Sequence, residues 1–261
     1  MQSWVDGQPV NALASLKDRG LAYGDGLFET IAVSAGQPLL LDLHLQRLAL
    51  GCSRLAIVAD HTLIRSELLT YAQAMGEGVM KLILTRGDSQ RGYSVSPEAA
   101  PRRILQANPA AAYPQAYASH GVQLFDCATR LAEQPLLAGL KHLNRLEQVI
   151  ARAEWQDPAY AEGLMRDTSG RVIEGVFSNL FLVSDGILIT ADLQRCGVAG
   201  VMRHALLAEA TPSLTGNGPQ MSGRPLPSTT PPAPPAPGVV VVSPLWAVLA
   251  VAVLATAPGQ P

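Results

Sequence analysis

The sequence predicts a two-domain α+β protein. Three observations predict it. A chain of 261 residues can bury a sizeable core and form two modest lobes. Strand-like and helix-like stretches interleave as far as about residue 210. Between them, residues 107–121 are rich in Ala, Pro and Tyr and follow neither period. They read as a linker between a smaller N-terminal α/β domain, 1–106, and a larger domain, 122–210.

The elements follow in order. Val5-Asp6-Gly7-Gln8 predicts a hairpin turn between two short strands. Residues 20–33 hold Gly24 and Gly26 around Asp25, then alternating strand residues. Leu41–Val58 has helical spacing, with Leu43, Leu48, Leu50 and Leu55 as the expected core positions. A second helix is expected over Thr62–Met75, and strands over Val79–Thr85 and Arg103–Gln106. Beyond the linker, Val122–Cys127 reads as a strand. Leu143–Trp155 reads as a helix with Leu146, Ile150 and Ala153 inward. Gly163–Asp167, Val172–Glu174, Ser178–Val183 and Ile187–Ile189 suggest an antiparallel meander, with turns at 168–170 and 184–186.

After about Ala210 the character changes. From His204 to the end there is one acid, Glu209, and one strong base, Arg224. Residues 211–238 are rich in Pro, Ser, Thr and Gly and read as disordered. Gly238–Ala257 is almost wholly apolar and long enough to cross a bilayer. A change of reading frame explains the lost charge and the proline excess together. A tail anchor explains only the apolar run, which lacks basic flanks.

Bulk properties narrow the function. A net charge of −2 gives no reason to expect nucleic acid or an anionic membrane as partner. Cys52, Cys127 and Cys196 lack metal-ligand spacing and read as buried thiols of a reducing cytoplasm. No metal site is expected. Residues 1–7 carry neither a basic stretch nor an apolar run, so no signal peptide is expected.

The chemistry is carried by two segments. Lys141, one of three lysines, lies in Leu140-Lys141-His142-Leu143-Asn144-Arg145-Leu146-Glu147. Glu174 follows in Val172-Ile173-Glu174-Gly175-Val176-Phe177-Ser178-Asn179-Leu180-Phe181. Alone, a helix-start lysine is ordinarily solvated. An amine followed by a carboxylate at a strand end suits a pyridoxal-phosphate enzyme: the amine can condense with the cofactor aldehyde, and the carboxylate can keep the ring nitrogen protonated.

These two segments strongly resemble the class IV pyridoxal-phosphate family, which includes branched-chain and D-amino-acid aminotransferases and aminodeoxychorismate lyases. The wording at 141–148 is most similar to the lyases, and the resemblance covers residues 1 to about 210. It implies a two-domain D-amino-acid-aminotransferase-like fold with pyridoxal 5'-phosphate at the domain interface, and a homodimer. It implies conversion of 4-amino-4-deoxychorismate to 4-aminobenzoate and pyruvate for folate synthesis. Class IV aminotransfer is the same-fold alternative, and a protein inactivated by its altered C-terminus is another. If the apolar tail is genuine, membrane contact is expected as well.

The resemblance also assigns residues. Lys141 is the catalytic, cofactor-bearing lysine and Glu174 the partner of the pyridine nitrogen. Arg47, in His44-Leu45-Gln46-Arg47-Leu48, is assigned to the cofactor phosphate. The same phosphate is assigned to the amides of Val201 and Met202, after the glycine-bearing turn Cys196–Gly200. Thr85-Arg86-Gly87 and Arg91-Gly92-Tyr93-Ser94 resemble the lyase loop over the substrate, with Arg91 for a carboxylate and Tyr93 as a donor. Phe28 and Thr30 face the cofactor if the strand alternation holds. Ser178 and Asn179 orient the turn after Glu174 and take no catalytic step.

Overall fold

The computed structural model describes residues 1–10, 15–89, 92–96, 99–110, 112–184, 187–210, 239–242 and 250–252. The chain divides into two compact units, one of residues 1–112 with 140–144, the other of 113–139 with 145–261. The division falls inside the expected linker. That stretch is not all connection: its first two residues finish a strand, and 116–120 form a short helix. Lys141 was expected in the larger second domain, yet its segment belongs to the first unit.

The first unit contains β1 (Trp4–Val5), β2 (Gln8–Pro9), α1 (Arg19–Tyr23), β3 (Gly26–Ser34), β4 (Gln37–Pro38), α2 (Leu41–Leu55), α3 (His61–Met75), β5 (Gly78–Thr85) and β6 (Arg102–Asn108). Its strands make one antiparallel sheet in the order β2-β1-β6-β5-β3-β4. The expected first hairpin is present, with Asp6 and Gly7 both at positive φ, as a two-residue turn matched to strand twist requires. In β3 the alternation holds. Leu27, Glu29, Ile31 and Val33 are buried, and Phe28 and Thr30 lie on the opposite face. Ile31, Leu48, Ile64, Leu68, Tyr71, Met80 and Leu82 form the core with α2 and α3. Asp60 caps α3, accepting from the amides of Thr62 and Leu63 at 2.9 Å each.

One core expectation for α2 is corrected. Leu50 is 54% exposed, and the buried face runs through Leu41, His44, Leu48, Gly51 and Cys52. Gly51 allows close packing: a Cβ there would lie 2.7 Å from a methyl of Leu27. Helix and sheet therefore meet along the glycine, and Leu50 turns to solvent.

The second unit contains α4 (Ala116–His120), β7 (Gln123–Leu131), α5 (Leu146–Ala153), β8 (Tyr160–Asp167), β9 (Val172–Gly175), β10 (Asn179–Ser184), β11 (Ile187–Thr190), α6 (Val201–Ala210), β12 (Val239–Val242) and β13 (Ala250–Ala252). The expected single meander is two sheets. One is β7-β8-β9, in which β7 and β8 run parallel. The other is β11-β10-β12-β13. The chain leaves the first sheet at the turn after Gly175. Of the two meander turns, 168–170 is described, and Asp185 and Gly186 lie outside the described residues.

The predicted inward face of α5 is also corrected. Leu146, Ile150 and Ala153 are exposed, and Gln148 and Ala151 point inward. Glu147 accepts the amide of Ala132 at 2.8 Å, which turns that edge of the helix toward β7 and the leucine edge outward.

The apolar run at 238–257 supplies two short strands. β12 pairs antiparallel with Asn179–Leu182, and β13 pairs with β12. Four consecutive valines favour an extended backbone, and β10 offers them a partner. Part of the tail, expected to stand apart from the fold, is thus placed in a sheet. The Pro-rich stretch 211–238 lies outside the described residues. Among the described residues no helix is long and apolar enough to cross a membrane.

Candidate active site

In the first unit, Lys141 is set by backbone pairing with β3. The amide of Phe28 donates to the Lys141 carbonyl at 2.9 Å, the amide of Leu143 donates to Gly26 at 3.0 Å, and Leu27 bridges His142. Asn144 Nδ2 closes the segment on the carbonyl of Gly24 at 3.0 Å. This register brings Lys141 Nζ over the Phe28 ring, 4.3 Å from its centroid. Lys81, on β5, approaches the same ring at 5.3 Å. Thr30 lies on the Phe28 side of β3 and is half-buried.

Behind β3 lies a buried charged cluster. Arg47 Nε donates to Glu29 Oε1 at 2.8 Å, and its Nη2 donates to Glu29 Oε2. His44 Nδ1 is 2.6 Å from the same carboxylate. An ionised carboxylate only accepts, so Nδ1 carries the hydrogen. Burial pushes the Glu29 carboxyl up, but the charge and hydrogen bonds of Arg47 and the bond from His44 outweigh it and hold the group below its ordinary range. Arg47, assigned by resemblance to a phosphate, is thus aimed by a carboxylate that sequence reasoning missed. The signal was legible as an acid at an inward position of an alternating strand.

The expected substrate loop is only partly visible. Arg91 lies outside the described residues. Tyr93 is 84% exposed and leans on Tyr23, ring centroids 5.3 Å apart. The loop is gripped from below by Arg19, whose guanidinium donates to the carbonyls of Gly92, Tyr93 and Ser94, each at 3.2 Å. Asp25 holds that guanidinium at 2.7 Å and Arg86 at 2.8 Å. Burial pushes Asp25 up, and the bonds and charges of Arg86 and Arg19 bring it below the usual range. Nothing in the linear sequence marks Arg19 for this place.

In the second unit, Glu174 is 3% exposed, and its Oε2 accepts the amide of Val198 at 2.7 Å. The turn carrying Val198 needs glycine. Gly197 has φ +83°, and a Cβ there would lie 2.8 Å from carbons of Ile173 and Leu193. Asn179 Nδ2 donates to the Val198 carbonyl at 2.9 Å, so both polar groups of that peptide position are held. Helix α6 then starts at Val201. Amides in a helix's first turn lack an i−4 carbonyl, so those of Val201 and Met202 suit an anion. Ser178 donates to Glu162 at 2.6 Å. In the sequence Glu162 shows only as an acid inside an apolar strand.

Pyridoxal phosphate calls for an amine, a carboxylate for the ring nitrogen, an aromatic face, and amides for phosphate. Lys141 and Phe28 in the first unit, and Glu174 and the first-turn amides of α6 in the second, are groups of these kinds, while the place a Cβ would take at Gly197 is already filled by Ile173 and Leu193. Among the described residues no group of three or more His, Cys, Asp and Glu is placed to hold a metal ion. Burial pushes the thiol of Cys52 up to about 11 and those of Cys127 and Cys196 to about 12, so all three stay protonated.

Comparison with known proteins shows the family. The model of the amino-transferase class IV family matches residues 26–216. An aminodeoxychorismate lyase of Vibrio harveyi is 37% identical over 205 residues, covering 78% of this chain and 75% of the relative. The crystal structure of 4-amino-4-deoxychorismate lyase from Pseudomonas aeruginosa is 53% identical, covers 96% of this chain and 90% of that one, and superposes with a TM-score of 0.85. A pyridoxal-phosphate-bound hypothetical aminotransferase from Mycobacterium tuberculosis shares the fold at 21% identity and a TM-score of 0.74, over 94% of this chain and 86% of that one.

Proposed function

This chain belongs to the amino-transferase class IV family, and from that premise we infer that it is a pyridoxal-phosphate-dependent aminodeoxychorismate lyase, converting 4-amino-4-deoxychorismate to 4-aminobenzoate and pyruvate. The observation that carries the reading is the 53% identity to the Pseudomonas lyase over nearly the whole chain.

Pyridoxal phosphate, when bound, supplies a ring that takes up negative charge from the substrate carbon bearing the amine. The chain's residues do the rest. Lys141 holds the cofactor through its amine. Once released, the amine takes the proton from that substrate carbon as general base; the bond from the substrate ring to the enolpyruvyl oxygen then breaks, and the amine gives a proton to the carbon that becomes the pyruvate methyl. Glu174 keeps a proton on the ring nitrogen, and the Val198 amide orients Glu174. Arg47 and the amides of Val201 and Met202 bind the phosphate. Phe28 and Thr30 line the face beside Lys141, and Arg91 and Tyr93 receive the substrate's polar groups.

The reading includes a homodimer, supported by an apolar stripe on α5, where Leu146, Val149 and Ile150 are all more than half exposed at helical spacing. It places the enzyme in the cytoplasm, which suits three buried free thiols.

The test supplies purified protein and pyridoxal phosphate with aminodeoxychorismate, following 4-aminobenzoate by fluorescence and pyruvate by a coupled assay. Equimolar release of both is expected. Sustained transfer from an amino acid to a keto acid without aminobenzoate would assign the chain to the aminotransferases instead.

A further inference from the structure

We propose that Glu162 is a positioning residue for the cofactor-binding turn. It braces residues 176–178 and acts through Asn179 and Val198 on the carboxylate of Glu174. The inference deepens the lyase reading and rests on it for the role of Glu174.

Glu162 lies on β8 and is wholly buried. A buried carboxylate without partners is costly, so its surroundings say what it is for. Its Oε1 accepts the amides of Gly163 at 2.8 Å and Val176 at 3.0 Å. Its Oε2 accepts the Ser178 hydroxyl at 2.6 Å and the Phe177 amide at 3.4 Å. Three of these four donors belong to the turn that begins directly after Glu174. The turn folds tightly over the carboxylate. A Cβ on Gly175 would lie 2.2 Å from Ser178 Oγ and 2.8 Å from Glu162 Cδ, so only glycine fits.

The turn leads straight into Asn179. That side chain donates to the Val198 carbonyl, and a Cβ on Gly200 would lie 2.0 Å from its Oδ1, so the asparagine sits against the glycine before α6. Val198 in turn donates to Glu174 Oε2. The path is continuous: Glu162 to the 176–178 turn, to Asn179, to Val198, to Glu174. The turn continues directly into Asn179 along the chain, every other step is a hydrogen bond or a tight contact, and all lie within the second unit. The pairing of β9 with β8 also fixes the backbone at Glu174. Burial pushes the Glu162 carboxyl up to about 7, against the pull of its four hydrogen bonds. It therefore bears the cost of burial to accept those donors, as expected of a group kept for geometry.

Hydrogen exchange tests this without relying on turnover. In Glu162→Ala, the amides of Val176 and Phe177 lose their acceptor and should exchange faster, which any structural role would also produce. The discriminating reports are farther along. Exchange at Val198 should rise, and the dissociation constant for pyridoxal phosphate should increase by about tenfold, the effect of losing one charge-assisted hydrogen bond. The KM for aminodeoxychorismate at saturating cofactor should stay within about twofold. Glu162→Gln keeps an accepting oxygen for Gly163 and Val176 and should restore most of the cofactor affinity. If Glu162→Ala does not fold, Ser178→Ala, which removes one donor of the turn, replaces it with the same two reports at smaller size. Unchanged Val198 exchange and cofactor affinity in these variants would overturn the proposal, whatever the loss of thermal stability. Should the native protein bind cofactor and show the coupling but release no aminobenzoate, the lyase reading fails and the positioning role stands.

Discussion

Replacing Glu29 with alanine takes from the Arg47 guanidinium the carboxylate that accepts two of its hydrogen bonds. The two side chains are 2% and 8% exposed, and Arg47 gives Glu29 two of its donors. Removing one partner of a buried ion pair costs about 3–5 kcal/mol, because the remaining charge has lost its compensation. His44 Nδ1 loses its acceptor at the same time, at 2% side-chain exposure, which adds about 1–3 kcal/mol. The two terms share one carboxylate and do not simply add, so about 4–6 kcal/mol is the expected loss. The double variant Glu29→Leu with Arg47→Met removes both charges and should lose less than the single variant. Urea denaturation at constant cofactor measures both. The pH dependence has a definite sign. Glu29 is held below the usual glutamate value of 4.5. Its contribution is therefore present above that value and lost as pH falls through the lower, folded-state value. The deficit of Glu29→Ala should shrink in acid. A loss under about 1 kcal/mol at neutral pH, or a double variant worse than the single one, would refute the reasoning.

Four other predictions follow from the same geometry. Borohydride reduction and peptide mapping should place the pyridoxyl label on Lys141; Lys81 approaches the same Phe28 ring, so label there would sink the assignment. Glu174→Gln should lower kcat on the order of a hundredfold while cofactor still binds, and unchanged kcat at full occupancy would argue against its role at the ring nitrogen. Because burial raises Glu162 to about 7, its contribution to stability is complete below the ordinary glutamate value and is lost as pH rises through about 7. Melting temperature should accordingly fall between pH 5 and pH 8 in the native protein more than in Glu162→Gln. Finally, residues 211–261 are proposed to come from a change of reading frame. This chain should then bind cofactor more weakly than a version carrying a family-like C-terminus, and equal occupancy and turnover of the two would overturn that reading.

The residues proposed to carry the chemistry have local signals. Lys141, Glu174 and the Cys196–Gly200 turn lie in short segments that resemble those of the family, and the alternation in β3 put Phe28 and Thr30 opposite the core. The hairpin at Asp6-Gly7 was equally local, since two positive-φ positions decide it. What the linear chain did not reveal depends on partners far along it. Lys141 belongs to the first unit because its backbone pairs with residues 26–28, over a hundred residues earlier. Leu146 and Ile150 lie outward because a bond from Ala132 fixes the rotation of α5, and helical period alone cannot say which side faces a sheet. Arg19 looked like an ordinary charged residue, and Glu29 and Glu162 offered only the hint of an acid in an alternating or apolar strand. Only tertiary structure could show that each is buried and answers several donors or acceptors from distant segments. A buried charge is defined by what surrounds it, and in this chain the surroundings are assembled only on folding.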